Sequence, residues 1–350
     1  MKELVREAVY LLKSIIQIPS FSREEEQVSD FLEQYIIKHN LPVERIGNNL
    51  LILNKKADKS RPTLLLNSHM DTVKSVSTWT KNPFGADVID GKIYGLGSND
   101  AGASLISLLL TTIKLYGKLD YNLAFCASAE EEISGANGIE KVLQKYSDFD
   151  LALVGEPTQM KSAVAEKGLM VLDIEAKGKS GHAARDEGIN AIYKAINDIA
   201  WFENYQFEKV SPFLGPVKMS VTQINAGTQH NVVPDTCRFV VDVRGNGCYT
   251  NSEILDFINK SINATATARS IRLNSSKLPV NHKMYKTLNS LNFEPFGSPT
   301  LSDQALMHFP SFKLGPGDSS RSHTADEFIY IDEIEEALVK YHQLLTAFKF

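Results

Sequence analysis

Residues 64–71, LLLNSHMD, form an apolar run that ends on a histidine and, two residues later, an aspartate. Alternate residues of an extended strand point to the same face, so His69 and Asp71 are predicted to lie side by side where a buried strand ends. Imidazole suits zinc, and a nearby carboxylate can hold the other ring nitrogen in the correct tautomer. By itself, this spacing is equally typical of a buried structural histidine.

Short apolar runs of the same kind alternate with helical patterns on both sides of this stretch. The predicted strands cover residues 50–54, 63–68, 121–128 and 151–154. The predicted helices cover residues 1–20, 22–36 and 101–116. Ser22 and Glu25 form a capping-box pattern ahead of the second helix. This alternation predicts an α/β sheet.

Another order of elements follows between residues 168 and 276. It is strand, helix, two strands, helix and strand, at residues 169–176, 190–203, 217–225, 236–243, 252–263 and 270–273. This βαββαβ order predicts a ferredoxin-like unit with its own core. The chain then returns to the α/β pattern and ends with an amphipathic helix from Ile331. We therefore predict a mixed-sheet domain in two parts, 1–167 and 277–350, with an inserted domain at 168–276.

Composition excludes several classes of partner. Lys and Arg number 37 against 42 Asp and Glu, and the net charge of -5 gives no long-range attraction to nucleic acid or anionic membranes. The first helical pattern is amphipathic and interrupted by Lys13, unlike a signal peptide, and no stretch is apolar enough to span a membrane. Three cysteines without a CxxC pair argue against a disulfide framework. We expect a cytoplasmic protein.

Four further segments place acidic residues or a histidine where a predicted strand or a glycine-rich turn ends. These residues are Asp100, the triplet Glu130, Glu131 and Glu132, Glu156, and His323. Each has an ordinary explanation, such as a helix N-cap for Asp100 or a solvated loop for the triplet. Together the five segments offer two histidines and a surplus of carboxylates, the donor set of a carboxylate-bridged pair of zinc ions.

In this order the segments resemble the metal motifs of the zinc aminoacylase and carboxypeptidase family, which includes acetylornithine deacetylase and succinyl-diaminopimelate desuccinylase. The flanking matches are Trp79 and residues 82–84, 90–95 and 326–327. The resemblance implies a dinuclear zinc hydrolase in which the inserted domain serves as a lid and dimerisation domain.

The resemblance also implies roles for the individual residues. His69 and Glu156 would bind one zinc ion, Glu132 and His323 the other, and Asp100 would bridge both. Asp71 would orient His69. Two Zn²⁺ ions are thus expected as cofactors, with Co²⁺ or Mn²⁺ as possible substitutes.

The glutamate triplet can be aligned with the family in two registers. The preferred register makes Glu131 the general base and Glu132 the ligand, whereas the alternative would assign Glu130 and Glu131 to these roles. Glu131 would accept a proton from the attacking water and pass it to the departing amine.

Three residues of the inserted domain resemble groups that complete the site. His182 matches a histidine that donates to the reaction's oxyanion, commonly from the other subunit of a homodimer. Asn231 and Arg244 match residues that bind the substrate carboxylate, for which a planar guanidinium is well suited. An ordinary loop histidine and a solvated arginine are the alternatives. Residues 302–303 and 315–317 resemble loops that close the pocket.

One departure from the family pattern follows Asp100. The family commonly has methionine, lysine and glycine at the next three positions, whereas residues 101–103 are Ala, Gly and Ala. The ligand itself is retained, so we infer that only the packing behind it differs. The resemblance also implies a cis peptide bond after Asp100.

The leading hypothesis is therefore an amide hydrolase that removes the N-acyl group from a small amino acid. It would be close to acetylornithine deacetylase, acting on an acylated ornithine or citrulline in arginine biosynthesis. The alternatives are a succinyl-diaminopimelate desuccinylase, a dipeptidase, or a non-catalytic metal-binding relative. The last would be expected to lack a ligand or the base, and this sequence lacks neither.

Overall fold

The structure is a computed structural model that describes residues 1–53 and 60–350. The chain divides into two compact units. The large unit comprises Met1–Val164, Lys277–Phe296 and Ser302–Phe350, and the small unit comprises Ala165–Ser276 and Gly297–Leu301. The use of the small unit as a lid or dimerisation domain stays a prediction.

Helices, strands and short turns alternate along both units. The helices are α1 Lys2–Ile16, α2 Glu26–Lys38, α3 Ala103–Leu115, α4 Ile139–Lys145, α5 Ala191–Asn204, α6 Asn251–Ser261, α7 Lys283–Ser290 and α8 Ile331–Ala347. The first strands are β1 Val43–Ile46, β2 Asn49–Ile52, β3 Thr63–His69, β4 Asp87–Ile89, β5 Lys92–Tyr94, β6 Asn122–Ser128, β7 Leu151–Val154, β8 Ser162–Glu166 and β9 Met170–Lys177. The remaining strands are β10 Gly181–His182, β11 Lys218–Ala226, β12 Val232–Val233, β13 Thr236–Arg244, β14 Thr265–Ala268, β15 Ser276–Lys277, β16 Pro295–Ser298, β17 Ser311–Lys313 and β18 Phe328–Tyr330.

The main sheet is mixed, as the sequence predicts. Its order is β1-β2-β6-β3-β7-β17-β8-β15, and β16 pairs with β8. The central strands β6, β3, β7 and β17 are parallel to one another, while β1, β2 and β8 pair antiparallel. The carboxyl ends of the parallel strands therefore meet at one edge of the sheet, which is where open α/β sheets place their sites.

Continuous apolar sequence explains why these strands are central. β3 is buried from Leu64 to His69, and all of β7 is buried. Such runs are typical of parallel strands that are covered on both faces. α3 packs against β3 and β6, and its leucines Leu105, Leu108 and Leu109 are fully buried. Each buried leucine contributes about 1.5–3 kcal/mol relative to an exposed one.

Two helix starts in the large unit differ from the sequence prediction. α3 begins at Ala103 rather than Ala101, because Asp100 and Ala101 have non-helical backbone angles. The capping box predicted for α2 is wrong, since the helix begins after Glu25 and this N-cap makes no side-chain hydrogen bond. The strand predicted at residues 50–54 is β2, and Asn54 lies outside the described residues.

The small unit contains a separate antiparallel sheet. Its order is β11-β13-β9-β14, and α5 and α6 pack against it, which is the arrangement of a split βαβ fold. Met170, Leu172, Phe202, Phe239 and Val241 are among the buried residues of its core. A short ladder of β10 and β12 stands apart from this sheet.

The prediction of a last strand at residues 270–273 of this unit is wrong. The strand is β14, where Ala266 turns into the core and pairs with Ile174 of β9. The carbonyl groups of Ile271 and Leu273 instead accept hydrogen bonds from the Asn251 side chain, at 3.3 and 2.9 Å. A side-chain amide therefore satisfies backbone groups that the pattern assigned to a strand.

Neither a disulfide nor a membrane-spanning helix is formed by the residues that the structure describes. Cys126, Cys237 and Cys248 are free, and the first two are buried. Within residues 1–53 and 60–350, no helix combines the length and the apolar character that crossing a membrane requires.

Candidate metal centre

The carboxyl edge of the main sheet gathers the side chains that the sequence singled out in the large unit. His69 is the last residue of β3, and Glu156 follows β7 by two residues. Glu131 and Glu132 lie in the 3-10 turn Glu131–Ile133 after β6. His323 lies in the loop between β17 and β18. Parallel strand order thus brings together residues that are up to 254 positions apart in the chain.

These side chains form two groups that share Asp100. Among the residues that the structure describes, the ligand atoms of His69, Asp100 and Glu156 lie within 4.8 Å of one another, as do those of Asp100, Glu132 and His323. The two oxygens of Asp100 face different groups. Oδ1 lies 3.3 Å from His69 Nε2, and Oδ2 lies 3.7 Å from His323 Nε2. A carboxylate in this position can bridge two cations.

Asp100 lies in a loop of unusual backbone, residues 97–102, which we call the aspartate loop. The peptide bond between Asp100 and Ala101 is cis, which confirms the expectation from the family resemblance. The buried carboxylate of Glu327 accepts backbone N–H groups from Gly97, Asn99 and Asp100 at 3.0, 2.8 and 2.9 Å. Glu327 therefore fixes the direction in which the loop presents Asp100.

The glutamate triplet forms a second unusual turn, residues 130–133, which we call the glutamate turn. Glu130 has a positive φ of 55°, and its side chain faces Asn137, whose Nδ2 donates to Oε1 at 3.0 Å. The side chains of Glu131 and Glu132 instead point towards the two histidines. Oε2 of Glu131 lies 4.0 Å from His69 Nε2, and Oε2 of Glu132 lies 2.9 Å from His323 Nε2.

Asp71 contacts both His69 and the glutamate turn. The His69 Nδ1–H group donates to the backbone carbonyl of Asp71 at 2.9 Å, whereas the Asp71 carboxylate lies 3.6 Å from the same nitrogen. The latter distance is too long for a hydrogen bond. The carboxylate instead accepts the backbone N–H groups of Glu131 and Glu132, at 3.0 and 3.2 Å. The ring is thus oriented by the carbonyl group, a contact that the sequence pattern did not predict.

The electrostatics of the cluster indicate an excess of negative charge. Burial raises the pKa of Glu156 to about 8, with a further increase from the Asp100 carboxylate and an opposing effect of His69. Burial and the nearby Glu156 likewise raise the pKa of Glu131 well above its usual value, against the effect of His69. Burial lowers the pKa of His69, but hydrogen bonding to Asp100 and the surrounding carboxylates outweigh it and leave this pKa well above its usual value. Cations at the site would relieve the repulsion among these carboxylates.

The residues present fit a pair of divalent metal ions. Imidazole nitrogens and carboxylate oxygens are ligands of Zn²⁺, and paired metal sites commonly have their ions about 3.5–4 Å apart. The Oε1 atom of Glu156 is buried and makes no hydrogen bond within the described part of the chain. A buried carboxylate oxygen of this kind is costly unless a proton, a donor or a cation satisfies it.

Asp303, which the family resemblance assigns to a loop that closes the pocket, is buried inside the protein. Asp303 is 4% exposed and accepts the hydroxyl of Ser128 at 2.6 Å, at the carboxyl end of β6. Burial raises the pKa of Asp303 to about 6. This carboxylate adds to the negative charge behind the ligands.

The small unit brings two of its three predicted site residues together. His182 pairs with Val232 in the β10–β12 ladder, and the N–H group of Ala183 donates to the carbonyl of Asn231 at 3.0 Å. The His182 side chain is exposed. Arg244 ends β13 in the other sheet of this unit, where Nε and Nη2 donate to the carboxylate of Asp242 at 2.8 and 3.1 Å.

The fold and the metal centre define a metal-dependent hydrolase built on an α/β sheet. Within that class, the chain belongs to peptidase family M20/M25/M40, whose family model matches residues 65–347. Membership of this family makes the protein a metal-dependent amide hydrolase.

Individual relatives are distant, but they extend over most of the chain. Succinyl-diaminopimelate desuccinylase 2 of Ruegeria sp. (strain TM1040) is 22% identical over 96% of this chain and 94% of its own. Acetylornithine deacetylase of Proteus mirabilis is 27% identical over 81% and 79%. A dinuclear metal-binding M20 peptidase from Bacillus subtilis, 16% identical, superposes with a TM-score of 0.73 over 99% of this chain and 98% of its own. The last likeness shows the fold alone.

Proposed function

We propose that this protein is a two-zinc hydrolase that removes the N-acyl group from a small amino acid, in the manner of an acetylornithine deacetylase. The observation that carries the proposal is the position of Asp100, whose two oxygens face the two ligand groups. In this proposal His69 and Glu156 hold one ion, and Glu132 and His323 hold the other. Co²⁺ or Mn²⁺ would occupy the same positions.

The chemistry assigned to the protein is proton transfer and orientation. When bound, the metal ions would polarise the acyl carbonyl and lower the pKa of water from ~15.7 towards neutrality. Glu131 is the proposed base, because its carboxylate lies 4.0 Å from His69 Nε2 and it belongs to neither ligand group. It would take the proton of the attacking water and later give it to the departing amine. The direction of the Glu130 side chain, towards Asn137, supports this register of the triplet.

The proposed substrate is an acylated ornithine or citrulline. The name of the Proteus mirabilis relative supports this choice. We assign Arg244 and Asn231 to the substrate carboxylate and His182 to the reaction's oxyanion, on the family resemblance. The exposure of His182 and the partial exposure of Arg244 are compatible with these roles. A succinylated diaminopimelate is the second candidate, because the Ruegeria relative covers nearly the whole chain.

We propose a homodimer formed through the small unit. β11 is the edge strand of the small unit's sheet, and α5 packs against it. Exposed apolar side chains lie on both elements: Tyr193 and Ile196 on α5 are 70% and 51% exposed, and Ile224 on β11 is 57% exposed. An exposed edge strand beside apolar side chains is a suitable surface for a second copy.

The test of the proposed reaction is a panel of amides with the Zn²⁺-loaded and Co²⁺-loaded protein. The panel contains acetylornithine, acetylcitrulline, succinylornithine, succinyl-diaminopimelate and simple dipeptides. We expect the highest kcat/KM with an acylated ornithine or citrulline. Preference for succinyl-diaminopimelate or for a dipeptide would replace the proposed substrate, and an inert protein with two metal ions bound would favour a non-catalytic binding protein.

Matched variants of the triplet test the base within the same panel. Glu131→Ala is expected to lower kcat about 10²–10⁴-fold, the usual loss when a positioned acid-base group is removed. Glu130→Ala is expected to lower kcat much less than Glu131→Ala, because the Glu130 side chain bonds to Asn137 and not to the ligand groups. The reverse order of effects would establish the alternative register.

A further inference from the structure

Residues 22–25 carry a sequence signature that the structure does not use in the expected way. A serine followed three residues later by a glutamate, just before an amphipathic helix, is typical of a capping box. Neither side chain caps α2, which begins at Glu26. Natural sequences tend to break such local rules at functional sites. The hydrogen-bond partners of Ser22 and Glu25 therefore indicate the role of this segment.

Both side chains act on the glutamate turn. Glu25 Oε1 accepts the backbone N–H group of Glu130 at 3.2 Å, and Ser22 Oγ donates to Asp71 Oδ2 at 2.7 Å. The Asp71 carboxylate accepts the next two N–H groups, at 3.0 and 3.2 Å. Two carboxylates thus hold three successive amide groups of the turn, and Ser22 holds one of these carboxylates in place.

The two carboxylates that accept these hydrogen bonds are buried. Glu25 is 0% exposed and Asp71 is 1% exposed. The oxygens of Glu25 also accept the Arg23 N–H group at 2.6 Å and Asn48 Nδ2 at 2.9 Å. Hydrogen bonds to ionised acceptors are about twice as strong as neutral ones, and a buried carboxylate needs several donors. The segment is therefore a firm anchor for the turn.

We propose that Ser22 and Glu25 are positioning residues of the hydrolytic site, because they fix the backbone that places the carboxylates of Glu131 and Glu132. The inference rests on the proposed function in one respect, namely that Glu131 is the base and Glu132 a metal ligand. Neither positioning residue touches the reacting atoms. Misplacement by about 1 Å can lower a rate about 10²-fold, and loss of groups that orient ligands typically weakens metal binding about 10–100-fold.

The kinetic test compares four variants of this segment. Ser22→Ala and Glu25→Gln are expected to lower kcat about 10–100-fold while KM changes much less, because the groups act on reacting side chains and not on substrate binding. Ser22→Thr retains the hydroxyl and is expected to restore most of the activity. Glu24→Gln, an exposed neighbour, is the matched control and is expected to behave like wild type.

A second readout needs no substrate. Co²⁺ titration followed by visible absorption is expected to show that the second equivalent binds about 10-fold more weakly in Ser22→Ala and Glu25→Gln. Hydrogen exchange of the amides of residues 130–132 in the metal-free protein is expected to be faster in the same two variants. Ser22→Thr and Glu24→Gln are expected to match wild type in both measurements.

The outcomes separate the inference from the proposed function. Wild-type Co²⁺ affinity and wild-type exchange in both Ser22→Ala and Glu25→Gln would overturn the positioning role. So would a loss of kcat that Ser22→Thr fails to restore, or one that follows the fraction of unfolded protein in thermal melts. Absence of amide hydrolysis by the Co²⁺-loaded wild type would contradict the proposed function instead, and the Co²⁺ and exchange data would still decide the positioning role.

Discussion

Glu327 receives three backbone N–H groups of the aspartate loop on a carboxylate that is 2% exposed. Glu25 and Asp71 do the same for the glutamate turn. The ligand-bearing loops are thus held by buried carboxylates that do not themselves belong to either ligand group. At the scale of single residues, positioning through backbone amide groups is the common principle of this site.

Replacement of Glu327 tests this principle. Glu327→Gln keeps the size of the side chain but replaces one carboxylate oxygen by an NH₂ group. This NH₂ group would face a backbone N–H group and could not accept its hydrogen bond. We expect metal affinity to fall about 10–100-fold, as for other changes behind the ligands. Co²⁺ titration measures the effect, and Glu335→Gln on the exposed face of α8 is the control. Unchanged affinity in Glu327→Gln would contradict the assigned role.

The sequence predicted which segments meet, but not every contact within them. His69, Asp100, Glu132, Glu156 and His323 were expected together, and the structure places their ligand atoms in two overlapping groups. Three adjacent glutamates cannot be told apart by residue type, and their directions follow from the backbone of the turn. Hydrogen bonds to backbone N–H groups leave no pattern in a sequence. The contacts of Asp71 with the glutamate turn, and of Ser22 with Asp71, therefore could not be predicted.

At the scale of elements, the quality of prediction follows the strength of the pattern. β3 and β7 are buried parallel strands, and their continuous apolar runs predict them almost to the residue. The start of α3 was misplaced, because the helical pattern continues into the aspartate loop, where Asp100 and Ala101 have non-helical angles. The prediction of a strand at residues 270–273 was wrong, because the Asn251 side chain donates hydrogen bonds to two of the carbonyl groups there.

A capping box that the structure does form, at the start of α6, offers a contrast to Ser22 and Glu25. Thr250 caps α6: Oγ1 accepts the Glu253 N–H group at 3.2 Å, and the Thr250 N–H group donates to Glu253 Oε2 at 2.8 Å. Thr250→Ala is expected to lower the free energy of unfolding by about 1 kcal/mol. Urea unfolding followed by circular dichroism measures the change. Because this cap serves only its helix, kcat is expected to stay near wild type, and a large loss of kcat would contradict that reading.

We predict that the whole molecule is a homodimer formed through the small unit. The double variant Tyr193→Lys/Ile224→Lys places charges in the exposed apolar surface of the small unit, and we expect it to be monomeric. Light scattering after size-exclusion chromatography measures the mass. Tyr10→Lys, at a similarly exposed tyrosine on α1 of the large unit, is the control and is expected to remain dimeric. A wild-type monomer, or a double variant that remains dimeric, would contradict the assigned interface.

We propose that this chain holds two metal ions on the ligands that the carboxyl edge of its main sheet brings together. Anomalous diffraction from crystals grown with Zn²⁺ tests it most directly. We expect two peaks about 3.5–4 Å apart. One should be bound by His69 and Glu156, the other by Glu132 and His323, with Asp100 between them. A single peak, or two ions held by other residues, would contradict the account.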